Sequence, residues 1–453
     1  MRAKMDPQRN LFHTFPRNQV GRELEAISQI LDETREVLEG VYDDLIGVKN
    51  PMTGRSGMTG EQVLRCAILK QYRELTYEEL AFHLSDSRSF QVFARLGGKS
   101  PSASTLQENI KSLSEETWEE IGRIIIGYAR SQGIEKGRKI RIDSTAVEAD
   151  VHYPTDSTLL QDVIRVITRC LARGKELSPA PAYAFSNHNR VVKKRELKIL
   201  NSKKENERKK CYRDLLDIAG RVRGYVAEAI GVLQDFESDD ILETCVARTI
   251  AEKLQRAVGL MDRIMDQTRR RVIEGEKVPA SEKVVSIFEC HTDILEKGNR
   301  ETTYGHKLFV VGGQSGMILD SVIERGNPAD SAMLLPMLER QEELFGRPPR
   351  QVAGDGGFAS RENLEKAKAR GIKDVSFSKR KGISVLDMVK SSWVYKKLRN
   401  FRAGIEANIS VLKRAFGLTR CTWSGWDGFR QYVRSAIVSY NLLVLARIKT
   451  ATG

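Results

Sequence analysis

Three acidic residues, far apart in a chain of 453 residues, stand where a carboxylate can be held rigid beside positive charge. In residues 136–153, Ile140 and Ile142 alternate with Arg141 and Asp143, the period-2 pattern of a half-buried strand. Asp143 falls at the end of that strand, on the face opposite the isoleucines. A carboxylate on a rigid strand suits a metal ion, although a solvated aspartate at a strand end would give the same pattern. Asp355 lies in Gly354-Asp355-Gly356-Gly357-Phe358, where flanking glycines permit a strained turn and the close approach of a backbone or a phosphate. Asp-Gly turns are also common for purely structural reasons. Arg402, Glu406 and Lys413 stand at offsets of four and seven, so they share one face of a helix, with Arg399 on the same face. One acid among three cations can bind a metal while the bases hold phosphates. The plain alternative is an i,i+4 ion pair worth a few tenths of a kcal/mol.

These residues need elements to position them. Val147, Ala149 and Val151 repeat the alternation after Asp143, so two neighbouring strands are expected there. Ile405, Ile409, Leu412 and Phe416 form the apolar stripe of the helix that carries Glu406. Gly404 within that helix costs roughly 1 kcal/mol, which predicts the close approach of another backbone. Strand patterning at 284–288, 307–311 and 317–323, with a turn over 312–316, predicts a hairpin region. A helix over 330–345, a strand over 350–353, a helix over 361–369 and a strand over 374–377 follow. The fold class expected is α/β, a mixed sheet with an antiparallel edge.

Ahead of this region the chain reads as helical. A helix over 21–38 is followed by three capping-box patterns, Thr59 with Gln62, Thr76 with Glu79 and Ser104 with Gln107. Residues 1 to about 17 are basic and expected to be mobile, and 49–57 reads as a linker. Residues 156–283 read as a helical insertion that interrupts the sheet. Within it, residues 190–213 hold eleven Lys or Arg against three Glu, either a solvated helix face or a surface that tracks phosphates. The expected organisation is a helical N-terminal domain over 1–135, for DNA-end binding or dimerisation. The first part of the core then covers 136–155, the insertion 156–283, and the rest of the core with C-terminal helices 284–453.

Formal net charge is +14, from 74 Lys and Arg against 60 Asp and Glu, which points to a polyanionic partner. No apolar run approaches the ~20 residues needed to span a bilayer, and no signal peptide is evident. Six scattered cysteines without a CxxC pair fit reduced thiols in a cytoplasm and offer no zinc ribbon. Cys290 and His291 are adjacent, but two ligands make no site. Paired carboxylates also serve glycosidases, though such an enzyme would leave the basic charge unexplained.

A strand aspartate, a second in a Gly-Asp-Gly-Gly-Phe turn and an Arg-x3-Glu-x6-Lys helix together resemble the DDE transposases of bacterial insertion sequences, which have an RNase H-like core. The chain looks most similar to the ISNCY-like group, whose members carry an InsH-like helical N-terminal domain. The resemblance runs from about residue 58 to 441, with the insertion least covered. It implies a catalytic, metal-binding triad of Asp143, Asp355 and Glu406, and DNA contacts from Arg399, Arg402, Lys413 and Lys307. Asp330 is implied to lie near the site. Related families have a Tyr where this chain has Arg399. Trp423 and Trp426 could stack on an extruded base or pack in the core.

The activity implied is binding of terminal inverted repeats, Mg²⁺-dependent nicking and joining of the 3′-OH to target DNA. Two Mg²⁺ ions, with Mn²⁺ as a substitute, suit a set of hard carboxylate oxygens. Double-stranded DNA, a homodimer or larger assembly in the DNA complex, and a cytoplasmic, nucleoid-associated location are expected with it. An RNase H-like endonuclease without strand transfer and a catalytically inactive DNA-binding protein are the competing readings.

Overall fold

The structure, a computed structural model, describes residues 3–5, 15–47, 57–98, 100–296, 302–379 and 381–452. The linker expected at 49–57 and most of the basic N-terminal stretch lie outside them. No helix among the described residues is long and apolar enough to cross a membrane. The chain divides into two compact units, one made of residues 1–150 and 305–453, the other of 151–304.

The first unit begins with seven helices, α1 (Gln19–Glu33), α2 (Leu38–Ile46), α3 (Gly60–Tyr72), α4 (Tyr77–Asp86), α5 (Arg88–Ala94), α6 (Ala103–Lys111) and α7 (Glu115–Ser131). The helix expected over 21–38 breaks at Thr34, whose hydroxyl donates to Ile30 O at 2.8 Å. The capping boxes at Thr59 and Thr76 form. The third helix starts earlier than expected, because Ser102 rather than Ser104 accepts the free N–H, that of Thr105. Helix α3 is buried almost throughout, and its Arg65 is held by Glu61 at 3.1 Å and Asp32 at 3.2 Å.

Strand β1 (Lys139–Glu148) is one continuous element rather than two. The apolar parity changes along it, from Ile140 and Ile142 to Val147, yet it pairs with one partner strand without a break from Arg141 to Glu148. A strand covered on both faces can switch its apolar side without turning.

In the second unit, helices α8 (Asp156–Gly174), α9 (Asn189–Asn201), α10 (Glu205–Gln234) and α11 (Ile241–Thr268) enclose their own core, with Leu160, Ile164, Leu215, Val226 and Leu254 fully buried. The strand expected at 284–288 is absent. Val284 and Val285 are buried, but the Val284 N–H donates to the Gln267 side chain at 2.7 Å instead of to a ladder. Strand β2 (Asp293–Leu295) forms a little later.

The remaining elements are β3 (Thr303–Gly312), β4 (Ile318–Glu324), α12 (Asp330–Phe345), β5 (Gln351–Gly354), α13 (Arg361–Ala369), β6 (Asp374–Phe377), α14 (Val385–Met388), α15 (Ser392–Ala415) and α16 (Gly425–Thr452). The sheet runs β2-β3-β1-β5-β6, with β4 also on β3. β3 is antiparallel to β1 and β4, while β1, β5 and β6 are mutually parallel. This mixed α/β sheet with many surrounding helices has the character of an RNase H-like core. Helix α16 packs on α1, α3 and α7, and the apolar stripe of α15 lies over β1, β5 and β6.

Candidate active site

The register of two parallel strands brings the first two acids together. Ile142 on β1 pairs with Gly354 on β5, so Asp143 and Asp355 each follow a paired position at the same level of the sheet. Helix α15 crosses above them and supplies Arg402 and Glu406 one turn apart. Arg402 Nη1 lies 3.4 Å from Asp143 Oδ2 and 3.4 Å from Asp355 Oδ1, and its Nη2 pairs with Glu406 Oε1. Three carboxylates from three elements therefore meet on one guanidinium. The two aspartate oxygens can be no further apart than twice their distance to Nη1.

The acids differ in environment. Burial pushes the Asp143 carboxyl up to about 6, against the pull of the Ser144 N–H and Arg402, while Asp355 and Glu406 add to the rise. For Asp355 burial also raises, but the Ser378 hydroxyl, the Gly356 N–H, Arg402 and Lys379 together hold it below the ordinary range. Ser378 donates to Asp355 Oδ1 at 2.6 Å, and the Ser144 N–H donates to Asp143 Oδ1 at 2.8 Å.

Asp330, at the start of α12, joins this cluster through Ser144. The Ser144 hydroxyl donates to Asp330 Oδ1 at 3.0 Å, and Lys307 Nζ lies 2.7 Å from the same atom. Here the glycines of the Asp355 turn have their use. A Cβ on Gly357 would fall 2.2 Å from Asp330 Oδ2, and one on Gly356 would fall 2.6 Å from Lys379 Cβ.

The other expected contacts are placed less alike. Lys307 is buried, paired with Asp330 and donating to Pro328 O at 3.0 Å, so reaching a phosphate would require breaking both. Arg399 is exposed and Lys413 half-buried on α15. Trp423 is buried against Tyr432, and Trp426 stacks on Phe429 with the Arg325 guanidinium 4.5 Å from its ring.

Gly404 does permit a close approach, but by a side chain rather than a backbone. A Cβ there would lie 1.9 Å from Arg141 Nη1. The buried Arg141 reaches from β1 into α15, donating to Phe401 O at 3.1 Å and Asn408 Oδ1 at 3.2 Å. Asn408 in turn donates to Gly316 O at 2.6 Å in the β3–β4 turn. Arg141 thus fixes the helix of Arg402 and Glu406 against the strand of Asp143. Sequence reasoning missed it, and the mid-helix glycine was its only trace.

Among the described residues no three His, Cys, Asp or Glu side chains are grouped closely enough to hold a metal ion. Arg402 stands between the carboxylates instead. The donor set still fits a hard divalent cation, being three carboxylates, and the pocket disfavours uncompensated negative charge at Asp143.

Residues 286–442 match the family model described as a transposase DDE domain. Over those residues the chain is similar to a transposase DDE domain. The match contains Asp355, Glu406 and Arg402, and starts downstream of Asp143, which β1 brings beside them. The resemblance to insertion-sequence DDE transposases therefore holds for this part of the chain. Neither a curated protein nor a solved structure matches the chain significantly.

Proposed function

We propose that the chain is a DDE transposase that binds the terminal inverted repeats of an insertion sequence, nicks the ends and joins the freed 3′-OH to target DNA. The observation that carries this reading is the meeting of Asp143, Asp355 and Glu406 on the Arg402 guanidinium, in a chain whose residues 286–442 match a transposase DDE domain. The three acids would hold two Mg²⁺ ions, or Mn²⁺. When bound, such ions supply charge stabilisation at both the attacking and the departing oxygen of an in-line phosphoryl displacement.

The chain's own residues do the rest. Asp143 has to be ionised to serve as a ligand, and its burial means that a cation is what favours that state. Arg402 releases the carboxylates as the site loads, and its freed guanidinium, with Lys413 and the exposed Arg399, holds phosphate oxygens. Ser144 and Ser378 keep the two aspartates oriented while Arg402 moves. Arg141 keeps α15 in place through the same change. The N-terminal helices would bind the DNA ends or a second copy of the chain, giving a dimer or larger assembly on DNA.

The test is a nicking and joining assay on a duplex bearing the element's terminal repeat, with Mg²⁺. Asp143→Asn, Asp355→Asn and Glu406→Gln should each abolish cleavage while duplex binding survives. Normal cleavage by any of the three would remove the site. Cleavage by the native protein without joined products would reduce the activity to that of a nuclease.

A further inference from the structure

We propose that the helical unit carries a second, non-catalytic DNA surface, formed by α9 and the start of α10, that binds the phosphodiester backbone. The inference rests on the transposase reading for its partner but uses none of the residues of the acidic site.

The buried stripe of α9 is Val192, Glu196 and Ile199. Arg190, Lys194 and Lys198 stand at i, i+4 and i+8 on the opposite side, about 6 Å apart along the axis. All three are exposed. In residues 190–213, Arg195 pairs with Asp214, Lys204 with Glu207 and Lys209 with Glu205. Arg190, Lys194, Lys198, Lys203, Lys210 and Arg213 form no such ion pair among the described residues. A solvated face laced with salt bridges would alternate in sign, and this one does not.

Where the end of α9 meets the start of α10 lies a hollow of about 680 Å³, with Ser202, Arg208, Arg271, Lys277, Lys283 and the exposed Tyr153 on its walls. Its acids are already neutralised. Asp156 is held by Arg271 at 3.0 Å and Glu276 by Arg270 at 2.6 Å, which leaves Arg208, Lys277 and Lys283 without an ion pair among the described residues. The unit therefore presents both an exposed row of cations along α9 and a polar hollow where α9 meets α10, so charge and hydrogen-bond donors both suit a phosphodiester chain. A membrane surface suits α9 less well. Its continuous apolar side is buried in the helical core, and the exposed Leu197 and Leu200 are interspersed with cations.

The experiment titrates salt against the association constant of the full chain for a linear duplex of arbitrary sequence. The variant Arg190→Gln/Lys194→Gln/Lys198→Gln should flatten the log–log slope by about 2–3, at ~0.9 per lost phosphate contact. The conservative Arg190→Lys/Lys194→Arg/Lys198→Arg should keep the native slope. An unchanged slope in the Gln variant overturns the proposal, as does equal loss in both variants, which would mark a structural role. Binding to anionic phospholipid vesicles that duplex DNA does not compete for also overturns it. If the native protein binds no duplex at any salt, the transposase reading fails first, a result distinct from the others.

Discussion

At the scale of single residues, the acidic site is a balance of charges held in tension. Asp143 is about six-sevenths buried, and its carboxyl sits at about 6 rather than near the ordinary 3.8. A carboxyl whose pKa is raised by folding binds its proton more tightly in the native state. The contribution of Asp143 to the stability of the metal-free protein then falls as pH rises from about 4 to about 6, by roughly 3 kcal/mol in all. Asn at this position carries no such penalty. Asp143→Asn should therefore melt above the native protein at pH 7 in chelator, with the gap closing as pH falls from about 6 to about 4. The catalytic role proposed for Asp143 would make this a trade-off of fold stability for function. If the Asn variant melts lower at neutral pH, Arg402 stabilises the ionised acid more than burial penalises it.

At the scale of elements, the contact of α15 with β1 decides whether the site exists. In an exposed helix, Gly→Ala gains roughly 1 kcal/mol from propensity. At Gly404 the sign should reverse, because the new methyl would overlap the Arg141 guanidinium. We expect Gly404→Ala to destabilise by about 1–3 kcal/mol, as overpacking does, and to slow nicking by shifting Arg402 and Glu406. Thermal unfolding with an activity assay checks both, and a raised melting temperature would refute the docking role. Much of this level was legible in the sequence. Period 2 placed the residues of β1, though as two strands rather than one, the strands expected over 350–353 and 374–377 form as β5 and β6, and period 3.6 placed the face of α15, because these patterns are local. What failed was non-local. Residues 284–288 have strand composition, but a glutamine side chain from α11 takes the hydrogen bond a neighbouring strand would have taken. Arg141 looked like the polar half of an alternation, and only the meeting of β1 with α15 gives it a buried role. Lys307, a DNA contact only by resemblance, is paired with an Asp330 that α12 brings to it.

At the scale of the whole molecule, the question is how a sheet tolerates an interruption of more than a hundred residues. The pairing of β1 with β3 ends at Glu148 opposite Gly305, so the inserted chain leaves and returns at one rung of an antiparallel ladder. Topologically it is an enlarged hairpin loop. Its own buried core, supplied by α8 to α11, compensates for the ordering of its residues, and loop-closure entropy grows only slowly with length. The sheet formed by β1, β3, β4, β5 and β6 should therefore not need it to fold. Replacing residues 149–304, which include the edge strand β2 and the first two residues of β3, with Asn-Gly, the turn pair that a two-residue hairpin favours, should yield a chain that unfolds cooperatively. Arg402 should still meet Asp143, Asp355 and Glu406. That shortened chain lacks the basic face of α9 and α10, so its duplex binding should be weaker and less sensitive to salt than that of the full chain. An aggregated product, or one that melts without a cooperative transition, would mean that the sheet depends on the insertion. The insertion would then be part of the catalytic fold rather than a DNA-binding unit added to it.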